Sequence, residues 1–174
     1  RHRVALHVDA VQWVGRGPVA FDRRPIDLLS VAAHKFGGPK GVGVLAVRRG
    51  VHLTADIAGG AQESGRRAGT ENVPGIAGAA AAAEAARVRV EGLDAAAVAR
   101  LEARRDVFEA RILAAVPGAC VHGADVPRLW NTSSIGVAGV DAATALLMLS
   151  ERGVCAAAGA ACSSGSIEPS PVLL

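Results

Sequence analysis

Tyrosine is absent from this 174-residue chain, methionine occurs once, and aromatic residues make up 3% of the sequence although 51% of it is hydrophobic. The apolar mass lies in valine, leucine and alanine, the last about a fifth of all residues, so large aromatic anchors cannot carry the core. So many apolar residues with a net charge of only +3 exclude intrinsic disorder, which needs the opposite balance. Long hydrophobic runs are also missing. The most apolar stretch, Val73 to Ala83, is short, mostly alanine, and closed by Glu84, whereas a membrane span needs about 20 apolar residues. Cationic runs interleaved with aromatics are absent, which removes the usual footprint of a nucleic-acid binder. The three cysteines, at 120, 155 and 162, form no C-x-x-C pair and are odd in number, so neither a metal site nor a secreted disulfide framework is expected. A soluble, cytoplasmic globular protein is the expected class.

What is present reads as an α/β chain. Val4–Val8 is a near-continuous apolar run ending in Asp9, as for a strand covered on both faces. Leu28–Val31 and Val42–Val47 read the same way, separated by the Gly/Pro loop His34-Lys35-Phe36-Gly37-Gly38-Pro39-Lys40-Gly41. Gly59-Gly60 opens a polar loop reaching to Asn72. Pro74 suits the first helical position, and an alanine-rich helix is predicted over 75–90, broken by Gly92. Asp94 can cap a second helix, with Val98, Leu101, Phe108 and Ile112 along one apolar stripe and Pro117-Gly118 as its stop. A strand at Ser133–Val137 and a third helix capped by Asp141 and ended at Gly153 follow. Cys120 and Cys155 lie in or beside apolar segments and are expected in the core. The order β, β, β, α, α, β, α predicts a larger domain over 1–91 and a smaller one over 92–174. Arg1 leads at once into a strand and Leu174 ends without a polar tail, so a piece of a longer protein is expected.

Three positions could carry chemistry. Lys35, beside His34 in the glycine-rich loop, could be desolvated enough to attack an aldehyde and form a Schiff base, or could be an ordinary exposed loop lysine. Asp9 ends the first strand, where α/β proteins collect ligand-binding groups. A carboxylate there can hold a pyridinium nitrogen charged, or merely cap the following turn. Cys162 lies in an Ala/Gly/Ser tract over 156–166 that would leave its thiol accessible, and it reads equally as an inert loop cysteine. Gln12, three residues after Asp9, is uninformative alone. No P-loop fits Gly37 to Val42, and Gly41-x-Gly43 lacks the third glycine of a dinucleotide fingerprint.

Taken together, His7-Val8-Asp9-Ala10-Val11-Gln12, the lysine segment Asp27 to Leu45, Arg67-Ala68-Gly69-Thr70-Glu71-Asn72, and Gly159-Ala160-Ala161-Cys162-Ser163-Ser164 before Glu168-Pro169-Ser170 closely resemble the cysteine desulfurases. These are pyridoxal-phosphate enzymes of the class V aminotransferase group, with the fold type I architecture of PLP-dependent transferases. The resemblance covers essentially the whole chain. It implies the second half of the large cofactor-binding domain over 1–91 and most of the small C-terminal α/β domain, with the nucleophile loop, over 92–174.

The resemblance also implies roles. Lys35 would bind the cofactor's aldehyde and act as proton-transfer base, Asp9 would face the pyridine nitrogen, Gln12 the ring hydroxyl, and His34 would help hold the phosphate. Where many members carry a serine two positions before the histidine, this chain has Ala32. Ser30, two residues earlier on the same strand face, is the remaining serine for the cofactor. Ser64 replaces an expected arginine and Trp13 a usual small residue. Thr70 is similar to the threonine that reaches the neighbouring subunit's cofactor phosphate, implying a homodimer. Cys162 would take sulfur from L-cysteine as a persulfide and release alanine, for a scaffold protein of iron–sulfur cluster assembly or a tRNA-thiolation enzyme. A ring-stacking histidine, a further phosphate loop and an asparagine would lie before Arg1, and the substrate-carboxylate arginine beyond Leu174. The alternatives are a selenocysteine lyase or another class V aminotransferase-like enzyme, and a catalytically incomplete fragment acting as a dimerisation or scaffold module.

Overall fold

Three strands near the start of the chain form one sheet with Leu28–Ala32 at its centre. The structure is a computed structural model and describes residues 4–159. Strand β1 (His7–Asp9) pairs in parallel with β2 (Leu28–Ala32), and β2 pairs antiparallel with β3 (Gly43–Val47), giving the order β1-β2-β3. The β1–β2 connection is held by two residues of unlike charge. Buried Asp27 accepts the Leu6 amide at 3.0 Å, and Arg48 donates to the Ile26, Phe21 and Arg24 carbonyls at 2.8, 2.8 and 2.6 Å. The Arg48 guanidinium also lies over the Phe21 ring, 5.2 Å from its centroid.

A single turn, α1 (Gln62–Gly65), interrupts the polar loop and places Glu63 and Ser64 at positive φ. Helix α2 (Val73–Glu91) starts with Asn72 accepting the Gly75 amide at 3.1 Å, has proline in its first turn, and ends at Gly92. Its alanines recur at Ala79, Ala82 and Ala86, one helical face. That face packs on Ala33, Phe36 and Val42, with Val14 and Val31 alongside. Small side chains set the distance. A Cβ on Gly75 would lie 2.6 Å from Val42 Cγ2, and one on Gly78 would lie 3.3 Å from Pro39 Cγ.

Only one sheet face is covered in this way. Leu45, on the face away from Val31, is 46% exposed, and Val44, beside Val31 in the register, is itself 52% exposed, so the expectation of strands covered on both faces does not hold within the described residues. The reason is topological: α2 follows all three strands and packs on the Val31 side alone, over the part next to Val42.

Helix α3 (Ala95–Ala115) begins at Asp94, whose carboxylate accepts the Ala97 amide at 2.6 Å. It stops before Gly118, which has φ +75°. Strands β4 (Ala119–Val121) and β5 (Ile135–Val137) form an antiparallel pair, and α4 (Ala142–Glu151) is capped by Asp141, which accepts the Thr144 amide at 2.9 Å. Gly153 takes φ +73° just past that helix. Among the described residues no helix is long and apolar enough to cross a membrane.

The chain divides into two compact units, Arg1–Ala97 and Val98–Leu174. In the second, the apolar stripe expected along α3 is displaced. Phe108 is 50% exposed, while Glu109, one residue on, is 6% exposed. Arg128 reaches Glu109 with both nitrogens, at 2.7 and 2.9 Å, so the buried position carries an ion pair. Cys120 and Cys155 are exposed, which corrects the expectation from the sequence that both lie in the core. Cys120 sits on a two-stranded ladder too small to bury it, and Cys155 follows α4 in irregular backbone.

Candidate functional site

The carboxyl ends of β1 and β2 lie side by side because the two strands run parallel, and each hands over to a tight turn bearing polar side chains. Asp9 closes β1, opposite Ser30 in the register. Its Oδ1 accepts the Val11 amide at 2.9 Å, and the Ala10 amide donates to the Ser30 carbonyl at 2.9 Å. One carboxylate oxygen therefore orients the side chain, and no bond to a described residue engages the other. Gln12 lies in the turn directly after, its side chain exposed and its carbonyl accepting from Arg16 at 2.8 Å.

Strand β2 ends in a 3-10 turn, Ala33–Lys35, where His34 is exposed and Lys35 half-buried. The turn is fixed from beneath. Ala33 and Phe36 are buried against α2, and the Ala33 carbonyl accepts the amides of Phe36 and Gly38 at 3.2 and 2.9 Å. Gly37 has φ +101°, and a Cβ on Gly38 would lie 2.9 Å from the Ala33 Cβ, so both positions require glycine. The Lys35 amine and the His34 ring make no hydrogen bond or ion pair with the described residues. The loop thus presents a primary amine and an imidazole without engaging either.

Ser30 is already engaged. Its hydroxyl lies 2.7 Å from His7 Nε2 on the face that carries Asp9. His7 belongs to the motif noted in the sequence, but nothing in the sequence signals this cross-strand bond, because it depends on a register that the residues alone do not fix.

Thr70 is held elsewhere in the first unit. It lines a cleft of about 390 Å³ together with Gly41, Gly43, Arg67 and Asn72, facing the loop that follows Lys35. Gln62 Oε1 accepts the Gly69 amide at 3.2 Å, and Arg67 donates to the Ala68 carbonyl at 2.7 Å, which shapes the 67–70 segment. A second cleft, about 400 Å³, lies at the opposite end of the sheet against Leu6, Arg24, Asp27 and Arg48, and contains none of the expected site residues. Cys162 lies outside the described residues. The structure therefore brings Asp9, Gln12, Ser30, His34 and Lys35 to neighbouring strand ends and sets Thr70 in a separate cleft.

A model of the Aminotransferase class-V family matches residues 1–172. The chain is 46% identical over 168 residues to a cysteine desulfurase of Nostoc sp., an alignment covering 97% of this chain and 41% of that protein. It is 44% identical to a cysteine desulfurase of Klebsiella pneumoniae, with the same coverage of 97% and 41%. Among solved structures, a NifS-like protein superposes with a TM-score of 0.70 at 37% identity, over 86% of this chain and 40% of the other. A NifS-like protein from Rickettsia africae superposes with a TM-score of 0.78 at 28% identity, over 90% of this chain and 42% of the other. The chain thus spans about 41% of the length of the relatives it matches.

Proposed function

This chain belongs to the class V aminotransferase family, and from that membership we propose that it forms part of a cytoplasmic, pyridoxal-phosphate-dependent cysteine desulfurase. The observation that carries the reading is the placement of Asp9 and Lys35 at the carboxyl ends of two adjacent parallel strands. The donor set fits that cofactor: an unengaged amine for its aldehyde, a carboxylate with one spare oxygen for its ring nitrogen, and an exposed imidazole for its phosphate. Bound there, the cofactor supplies an electron sink that weakens bonds next to the substrate's amino-bearing carbon.

The protein's own residues supply the rest. Lys35 Nζ anchors the cofactor and then carries the proton taken from substrate. The Asp9 carboxylate keeps the ring nitrogen protonated, Gln12 meets the ring hydroxyl, and His34 steadies the phosphate. Ser30 belongs to the group through its place opposite Asp9. Thr70 reaches the neighbouring subunit's phosphate in a homodimer. The first unit would be the latter half of the cofactor-binding domain and the second the small domain that carries the thiol loop.

Cys162 takes up sulfur from L-cysteine. The substrate's C–S bond breaks, an S–S bond forms on Cys162, and alanine leaves, with no external oxidant or reductant. The persulfide then passes to an acceptor protein of iron–sulfur cluster assembly or tRNA thiolation. An Ala/Gly/Ser segment suits a nucleophile that must approach substrate and then deliver its cargo.

The test uses the intact protein with added pyridoxal phosphate. A visible absorption band is expected, lost in Lys35→Ala. Alanine and sulfide release from L-cysteine is expected to disappear in Cys162→Ser while the band persists. A band without any desulfuration in the parent protein would move the assignment to another class V activity.

A further inference from the structure

We infer that Ser30 and His7 form a positioning pair for the Asp9 carboxylate, and that Ser30 is not a phosphate ligand; this rests on the cofactor-binding reading above. Three observations carry it. In the parallel register Asp9 faces Ser30, and His7 precedes Asp9 by two, so all three side chains emerge on one sheet face. The Ser30–His7 bond at 2.7 Å runs diagonally across the two strands beside Asp9. The third strand contributes only Leu45 opposite Ser30 and Gly43 opposite Ala32, so among the described strands the polar residues placed beside Ser30 on this face are His7 and Asp9.

Distance along the strand separates Ser30 from the phosphate end. Ser30 lies two residues before Ala32, about 6–7 Å of strand at ~3.3 Å per residue, and the His34–Lys35 turn begins only beyond that. The backbone locks the same point, with the Ala10 amide on the Ser30 carbonyl and the Val11 amide on Asp9 Oδ1. A hydroxyl has one proton and two lone pairs. In the tautomer that carries its proton on Nε2, His7 donates to the Ser30 hydroxyl and leaves the Ser30 proton to turn toward Asp9. The inferred role of the pair is to bias the direction of the Asp9 oxygen that the Val11 amide does not engage.

Binding of two probes by the intact protein decides the matter: pyridoxal phosphate, and pyridoxal without the phosphate. A phosphate ligand affects only the first, whereas a group acting through Asp9 affects both alike. Ser30→Ala and His7→Leu are each expected to weaken both probes by the same factor, about 5- to 10-fold, the loss of one ordinary hydrogen bond. Ser30→Thr, which keeps the hydroxyl in a residue suited to a strand, should bind as the parent does. In an Asp9→Asn background Ser30→Ala should add less than about 2-fold, because the group it positions has lost its charge. Weakening confined to pyridoxal phosphate would make Ser30 a phosphate ligand and overturn the inference. So would unchanged binding of both probes, or an effect undiminished in Asp9→Asn, which marks a purely structural role. A parent protein that shows no Lys35-dependent band refutes the cofactor reading itself, an outcome separate from these.

Discussion

Glu109 offers the sharpest quantitative handle on the second unit. Its side chain is 8% exposed and that of Arg128 16%, and the two share paired contacts at 2.7 and 2.9 Å. Arg128 chiefly, against the opposing effect of burial, holds the Glu109 carboxyl down at about 2, from an ordinary 4.5. Breaking a buried pair from one side costs about 3–5 kcal/mol, and a guanidinium able to turn outward recovers part of it. Glu109→Gln should therefore destabilise the unit by about 2–3 kcal/mol at neutral pH. Replacing both partners with apolar residues, Glu109→Leu with Arg128→Met, should cost well under the sum of the single changes.

The pH dependence follows from the direction of the shift. The folded carboxyl binds its proton less readily than the unfolded one, so its contribution is complete above about 4.5 and is lost as pH falls toward about 2. The stability gap between parent and Glu109→Gln should narrow between pH 5 and pH 3. The chain has two tryptophans, so a Trp13→Phe background leaves Trp130 to report urea unfolding of this unit alone. A Glu109→Gln cost below about 0.5 kcal/mol, or a gap that stays constant down to pH 3, would refute the reasoning.

Gly75→Ala should destabilise the first unit by about 1–3 kcal/mol in thermal or urea unfolding, because the added Cβ meets Val42 Cγ2 at 2.6 Å. Phe36→Ala should cost about 3–5 kcal/mol by the same measurement, and should also raise amide exchange across the Lys35 turn, since Phe36 is buried beneath it. Arg48→Leu strips the Phe21, Arg24 and Ile26 carbonyls of their shared donor and should cost about 2–3 kcal/mol, with faster exchange confined to residues 20–28.

Legibility in the sequence tracked how local each signal was. Pro74 and Gly92 frame α2 by chemistry that acts within a few residues, and Asp141 and Gly153 do the same for α4. Strand β4 escaped notice because three residues after a Pro-Gly stop show no periodicity. The α3 stripe misled because Phe108 outweighs Glu109 on any hydrophobic count. Yet Leu101, Arg105, Glu109 and Ile112 follow the helical period, and a charge can be buried once Arg128 arrives from 19 residues away. At the site, Asp9 and Lys35 were visible as strand-end residues. The Ser30–His7 bond was not, since a parallel register is a property of two segments and of neither alone.

The alanine and glycine seam between α2 and the Lys35 loop leaves that loop no slack to absorb a larger neighbour. Volume added at positions 75, 78, 79 or 86 would be transmitted as displacement of the segment that presents the amine. Variation in reactivity is therefore expected to enter through the polar edge of the turn, with the methyl-sized floor beneath it tolerating little change.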